Sequence, residues 1–221
     1  MLDTIEIGEG EINRSVIWLH GLGASGHDFE PLVPMLGIQN CRFVLPHAPE
    51  QPVTINMGMV MPAWYDIKTL SGPLREDLDD VRRNAKLIEE LIEREMERGI
   101  PANRITLVGF SQGGAMALHV GLRYPVSLQG IMVLSAYLLD AEGTPKEATA
   151  ANRETPVFFA HGEQDGVVPF TGGKLSYERT RDIAPERKIE FHAYPMGHEV
   201  CPEQIRDVAE WLKGLETAAD G

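Results

Sequence analysis

The amino-acid sequence predicts an α/β protein: a mostly parallel central sheet with helices on both faces. Three observations carry this. Short apolar runs rich in β-branched residues alternate with longer helical stretches, the order of strands joined by crossover helices. Most of those runs are apolar throughout rather than alternating, as in strands covered on both faces. The 221 residues are 43% apolar and 24% charged, with no internal repeat and no low-complexity linker, so a single domain over 1–221 is expected. A domain of that size buries about 70% of the surface its unfolded chain exposes.

The elements follow in order. Thr4-Ile-Glu-Ile7 alternates and is expected at an edge, paired with the strand that comes after Gly10. Ser15–His20, Arg42–Leu45, Arg104–Gly109, Gly130–Leu134, Pro156–Ala160 and Ile189–Tyr194 read as the central strands. The clearest helix covers about Pro73 to Arg98, where Leu78, Val81, Ala85, Ile88 and Ile92 form one apolar face. Ser71 is its expected cap, and Gly99 followed by Pro101 stops it. A second helix starts just after Ser111 and ends before Pro125; a third covers about Pro202 to Leu215. In parallel sheets of this kind, sites form at the carboxyl ends of the strands.

Composition narrows the partners. The net charge is −13, and an acidic chain repels nucleic acid and anionic lipid at long range. No apolar run approaches the ~20 residues that cross a bilayer. The opening MLDTIEIGEGE lacks a basic segment followed by an apolar core and is not expected to be a secretory leader. Cys41 and Cys201 form neither a CxxC pair nor a metal-ligand set; two free thiols in a reducing compartment are expected.

Gly109-Phe-Ser-Gln-Gly113 fits G-x-S-x-G, with a strand before it and a helix after it. The chemistry needs a sharp, strained turn that lifts the serine hydroxyl above the sheet. Gly109 and Gly113 let strand and helix approach closely there, and the helix N-terminus places N–H groups where negative charge develops. Ser111 is the candidate nucleophile. A serine hydroxyl needs an adjacent base. Of seven histidines, only His161, His192 and His198 follow both Ser111 and a further strand. His192 lies inside a strand and His161 precedes the best acid, so His198, in a loop before the last helix, is the candidate base. Asp165 lies between them, in a loop after a strand, with Gly166 expected to let the backbone turn and aim the carboxylate; Glu163 is the local competitor, and Asp140 and Asp182 are more distant ones. Asp165 would fix the tautomer of His198 and stabilise the imidazolium. The oxyanion donors expected are the N–H of Gln112 and, from the Gly-rich loop after His20, that of Leu22, with Gly23 next. That loop lacks the Lys-Ser/Thr ending of a phosphate loop.

Taken together, His20-Gly-Leu-Gly23, Pro46-His-Ala-Pro49, Asn56-Met57, Met61-Pro-Ala-Trp-Tyr-Asp66, Gly109-Phe-Ser-Gln-Gly-Gly-Ala-Met-Ala117, His161-Gly-Glu-Gln-Asp-Gly-Val-Val-Pro169 and Met196-Gly-His198 make the chain resemble the carboxylesterase / acyl-protein thioesterase family of α/β-hydrolases. The resemblance covers nearly the whole chain and is especially close to small bacterial carboxylesterases. It implies the α/β-hydrolase fold without a large lid domain, and hydrolysis of carboxylic esters with short to medium acyl chains. Its alternative is acyl-protein or acyl-CoA thioesterase or lysophospholipase-like activity. It carries over Ser111, Asp165 and His198 as the triad and Leu22 and Gln112 as oxyanion donors, and it implies a cytoplasmic homodimer acting on a small-molecule ester. Ala24 departs from the pattern: many relatives have an acidic residue there.

On the substrate side, Met57, Met59 and Met61 lie close to Trp64 and Tyr65. Flexible, polarizable methionines often line adaptable apolar surfaces, and an acyl groove of Met61, Trp64, Leu70 and Val168 is expected, with Phe170 a further candidate. Packing of these side chains into the core is the competing reading. No cofactor is required, and no metal: a metal-dependent hydrolase on His20, His47 and His161 finds no HExxH or similar spacing. A non-catalytic binding module is the rival of another class, and the three filled triad positions argue against it.

Overall fold

The structure, a computed structural model, describes residues 1–68 and 75–219. Nine strands alternate with helices: β1 (Thr4–Ile7), β2 (Arg14–Leu19), α1 (Val33–Leu36), β3 (Cys41–Pro46), β4 (Glu50–Val53), β5 (Met59–Pro62), α2 (Leu78–Glu97), β6 (Ile105–Phe110), α3 (Gln112–Arg123), β7 (Gly130–Leu134), α4 (Thr144–Glu147), β8 (Val157–Gly162), α5 (Phe170–Ile183), β9 (Ile189–Tyr194) and α6 (Pro202–Ala219). Seven strands form one sheet in the order β1-β3-β2-β6-β7-β8-β9, parallel except for β1. No large lid domain stands over it among the described residues, and no helix there is long and apolar enough to cross a membrane.

The central strands are apolar throughout because they feed two cores. Along β2, Ile17 and Leu19 enter the layer built with α2 and α3, while Val16 and Trp18 enter the layer built with α1 and α6. β7 divides likewise, Ile131 and Val133 against Met132 and Leu134. Each such side chain, fully buried, contributes roughly 1.5–3 kcal/mol.

Three sequence expectations are corrected. β1 pairs antiparallel with β3, Thr4 opposite Pro46 and Ile7 opposite Phe43, not with the strand after Gly10. That strand, β2, already has parallel neighbours on both edges. The long helix starts at Leu78, and its cap is Asp77, whose carboxylate accepts the N–H groups of Asp79 and Asp80. Ser71 and Pro73, its expected cap and start, lie outside the described residues; the first turn is closed six residues after Ser71. The helix end was legible: Gly99 takes φ +93°, a conformation glycine adopts without strain.

Helix α5 was not anticipated. Its fully buried positions are Gly173, Ser176 and Thr180, so no large apolar stripe marks it. Hydroxyls fasten it instead: Ser176 Oγ donates to Gly172 O (2.8 Å) and accepts from Leu138 N–H (2.9 Å). The β4–β5 hairpin was also unmarked, since prolines at 52 and 62 obscure any strand pattern. No disulfide links Cys41 and Cys201.

On α3, burial, reinforced by the Arg123 charge, pushes the His119 imidazole down to about 3. Its Nδ1 has no hydrogen-bond partner among the described residues. The folded state holds this ring neutral, whereas the unfolded chain protonates it near its ordinary value of about 6.5. Stability is therefore lost as pH falls through that value, because the unfolded chain binds the extra proton. Urea titrations are expected to show the parent protein losing about 2 kcal/mol more than His119→Leu between about pH 7 and 5.

Candidate active site

Ser111 occupies the bend between β6 and α3 with φ +54° and ψ −123°. A non-glycine residue held there costs on the order of 1–3 kcal/mol, which the surroundings must over-determine. They do so through the backbone: Ser111 N–H donates to Leu134 O (2.8 Å), and Ser111 O accepts from Ala115 N–H (3.0 Å). The bend is tight enough to forbid side chains beside it. A Cβ on Gly109 would run into Gly113 O and stand 2.5 Å from Gly114 N. A Cβ on Gly113 would strike Leu19 O and stand 2.5 Å from His20 O.

His198, in the loop between β9 and α6, places Nε2 2.9 Å from Ser111 Oγ. Its Nδ1 lies 2.7 Å from Oδ2 of Asp165. A carboxylate only accepts, so Nδ1 carries the proton and Nε2 is free to accept from the serine hydroxyl. The Phe110 ring lies against the imidazole, centroids 4.8 Å apart. The Asp165 carboxyl group is buried, and its Oδ1 accepts from Val167 N–H (2.9 Å) and Val168 N–H (2.8 Å). These two bonds set the turn. Gly166 does not: its φ is not positive, and a Cβ there would meet nothing within 4 Å.

The loop after β2 commits some of its N–H groups and leaves one without a partner among the described residues. Gly23 N–H is committed to Pro62 O (2.8 Å) and Ala24 N–H to Gly21 O (3.2 Å), which removes Gly23 as a donor. Leu22 N–H has no partner among the described residues. Gln112 is the first residue of α3, where N–H groups lack an intrahelical acceptor. Its side chain does something the sequence did not signal. Oε1 accepts from Trp64 N–H and Nε2 donates to Tyr65 O, both at 2.7 Å. Trp64 Nε1–H in turn donates to His20 O (2.9 Å). His20, whose pKa burial lowers, donates from Nδ1 to Gly21 O (2.7 Å) and accepts at Nε2 from Ala48 N–H (3.0 Å). The serine bend and the Gly-rich loop are thus braced to one buried segment.

The substrate side needs correction. Trp64 is 0% exposed and belongs to the core, held by three hydrogen bonds; it lines no groove. Val168 is also buried, as the back of the Asp165 turn. Met61 is half-buried with Sδ near Gly23, while Met57 and Met59 face solvent. Phe170 sits edge-on to the buried His161 ring, and Leu70 lies outside the described residues. The cavity beside Ser111, about 380 Å³, is walled instead by Leu22, Phe29, Leu32, Phe110, Val167 and Val200, with Ala24 and Asp28 also on its lining. Phe110, Val167 and Val200 each lie within two residues of Ser111, Asp165 or His198, a proximity that could have marked them. Phe29 and Leu32 carried no such signal.

The three histidines of the metal alternative are otherwise engaged. His20 uses both ring nitrogens, His47 Nδ1 accepts from Gly26 N–H (3.3 Å), and His161 Nε2 donates to Val168 O (2.9 Å). No cluster of three metal-ligating side chains occurs among the described residues.

Residues 2–215 match the family model described as Phospholipase/Carboxylesterase. Acyl-protein thioesterase 1 of Gibberella zeae is 40% identical over 211 residues, covering 90% of this chain and 89% of that protein. Acyl-protein thioesterase 1 of Neurospora crassa is 41% identical over 214 residues, covering 90% and 85%. Among solved structures, acyl-protein thioesterase 2 of Zea mays superposes with a TM-score of 0.86 at 26% identity, over 97% of this chain and 99% of that one.

The brace through Gln112 is open to test. Gln112→Leu leaves the Trp64 N–H and the Tyr65 carbonyl buried without those partners, at roughly 1–3 kcal/mol each. Chemical unfolding is expected to show a loss of about 2–6 kcal/mol.

Proposed function

The chain belongs to the phospholipase/carboxylesterase family of α/β-hydrolases and is a carboxylic ester hydrolase; on that footing we propose that it cleaves acyl thioesters, with acylated protein thiols as the favoured class, through a relay of Ser111, His198 and Asp165. The observation that carries this reading is the unbroken hydrogen-bond line from Ser111 Oγ through His198 to Asp165, 2.9 Å and 2.7 Å, at the edge of an apolar cavity. The names of the relatives at 40–41% identity favour the thioester over the ordinary ester.

The steps follow from the geometry. His198 Nε2 takes the hydroxyl proton as Ser111 Oγ attacks the acyl carbonyl carbon. The carbonyl oxygen becomes an oxyanion facing the N–H groups of Leu22 and Gln112, and a donor of this kind is worth about 3–4 kcal/mol in the transition state. Asp165 stabilises the imidazolium that has formed. As the intermediate collapses, the bond from carbonyl carbon to sulfur breaks, and Nε2 returns the proton to the leaving thiol. A thiolate is already a tolerable leaving group, because thiol pKa values lie near 8.5. Water then attacks the acyl carbon as the same nitrogen accepts its proton; when this second intermediate collapses, the bond from carbonyl carbon to Ser111 Oγ breaks, Nε2 returns the proton to Oγ, and the carboxylic acid departs. The acyl tail rests against Phe29, Leu32, Phe110, Val167 and Val200.

A second reading, a carboxylesterase for small neutral esters, is favoured by the modest size of the cavity, which suits short to medium chains. A series of acyl-CoA thioesters and p-nitrophenyl esters of rising chain length separates the two readings. The thioesterase reading expects kcat/KM on thioesters to exceed that on oxygen esters once alkaline leaving-group effects are matched; the reverse order selects the carboxylesterase. Ser111→Ala is expected to reduce kcat roughly 10⁴-fold or more on either substrate with an unchanged far-ultraviolet spectrum, and to abolish fluorophosphonate labelling. Undiminished turnover in that variant removes the serine mechanism.

A further inference from the structure

Asp165 is held by more than its own turn. His161, at the end of β8, is buried, and its Nε2 donates to Val168 O at 2.9 Å. The same nitrogen stands 3.5 Å from Asp165 Oδ2, the oxygen that His198 engages. Val168 N–H meanwhile donates to Asp165 Oδ1. Val168 is therefore held through both of its main-chain polar groups, by His161 at the carbonyl and by Asp165 at the N–H.

The ring itself is seated by an unusual residue. Gly173 lies inside the 14-residue helix α5, where glycine costs about 0.5–1 kcal/mol relative to alanine. A Cβ at Gly173 would strike His161 Nδ1 and stand 2.5 Å from Cε1 and 2.9 Å from Cγ. At Gly172, one residue earlier, a Cβ would meet nothing within 4 Å. The glycine at 173 is thus matched to the imidazole, and the Phe170 ring closes the seat edge-on at 6.0 Å.

We infer that His161 is a positioning residue for the acid of the relay, and that Gly173 on α5 keeps it in place. The inference rests on the serine relay proposed above. Burial lowers the pKa of His161, so the ring stays neutral: its N–H pins Val168 O without placing a second full cation beside the carboxylate to compete with the imidazolium of His198. The physical role is to fix Val168, whose N–H ties Oδ1, and so to keep Oδ2 in line with His198 Nδ1.

The test uses the full chain and three variants. His161→Leu removes the donor, His161→Gln keeps an N–H at nearly the same reach, and Gly173→Ala displaces the ring without touching the relay. His161→Leu and Gly173→Ala are expected to lower kcat roughly 10- to 100-fold, the scale seen when the outer partner of an oriented group is lost, with KM within about twofold. The Nδ1–H proton resonance of His198 is expected to shift in both variants and to return toward the parent position in His161→Gln, together with most of kcat. Adding Gly173→Ala to His161→Leu should cost little more, since the ring it displaces is gone. Parent-like kcat and resonance in Gly173→Ala and in folded His161→Leu overturn the inference, as does an additive double variant. Should His161→Leu fail to fold, Gly173→Ala carries the test alone, and parent-like kcat and resonance in it overturn the inference. Asp165→Asn, measured alongside, separates the two readings: if it remains fully active, the relay itself is wrong; if it is inactive while Gly173→Ala and His161→Leu are not slowed, only the role of His161 and Gly173 fails.

Discussion

The first turn of α3 lies directly on the last carbonyls of β2, with no side chain between Gly113 and the oxygens of Leu19 and His20. That contact aligns the helix N-terminus with the loop that follows β2 and leaves Ser111 in a backbone conformation it would not choose alone. Its retention depends on neighbours. Leu134 O on β7 receives the serine N–H, and the Gln112 amide locks onto the Trp64–Tyr65 backbone. Three consecutive strands and a buried connecting segment therefore share one strained residue. The rigid parallel sheet supplies the precision, and the loops at its carboxyl edge supply the chemistry.

The parts of this arrangement differ in how plainly the sequence announces them. Central strands declare themselves because burial on two faces leaves no polar position, as in Ile131-Met132-Val133-Leu134. Ser111, Asp165 and His198 were legible because a hydroxyl nucleophile restricts both the residue types and their places after strands, and the structure brings all three within hydrogen-bond distance. Trp64 was ambiguous for a physical reason: a large aromatic with one donor serves a core or a groove equally well until its donor finds a partner, here His20 O. The partner of β1 was hidden because alternation identifies an edge strand but not the edge. Helix α5 was hidden because its inward face is glycine and hydroxyl, fitted to a ring and to backbone groups rather than to oil-like bulk.

The division of labour between α5 and the acid turn also illustrates how glycine is used. At Gly109 and Gly113 the absent Cβ lets backbones meet. At Gly173 it makes room for a side chain from another element. Both arrangements place the demand on a residue that touches no reacting atom.

Val167 has two independent uses. Its main-chain N–H anchors Asp165, while its side chain, 64% exposed, stands on the cavity wall. Because every residue but proline carries a backbone N–H, the side chain at 167 can vary while Asp165 keeps its anchor. Side chains of different size at position 167 can thus reshape the cavity wall without loosening the turn that carries Asp165.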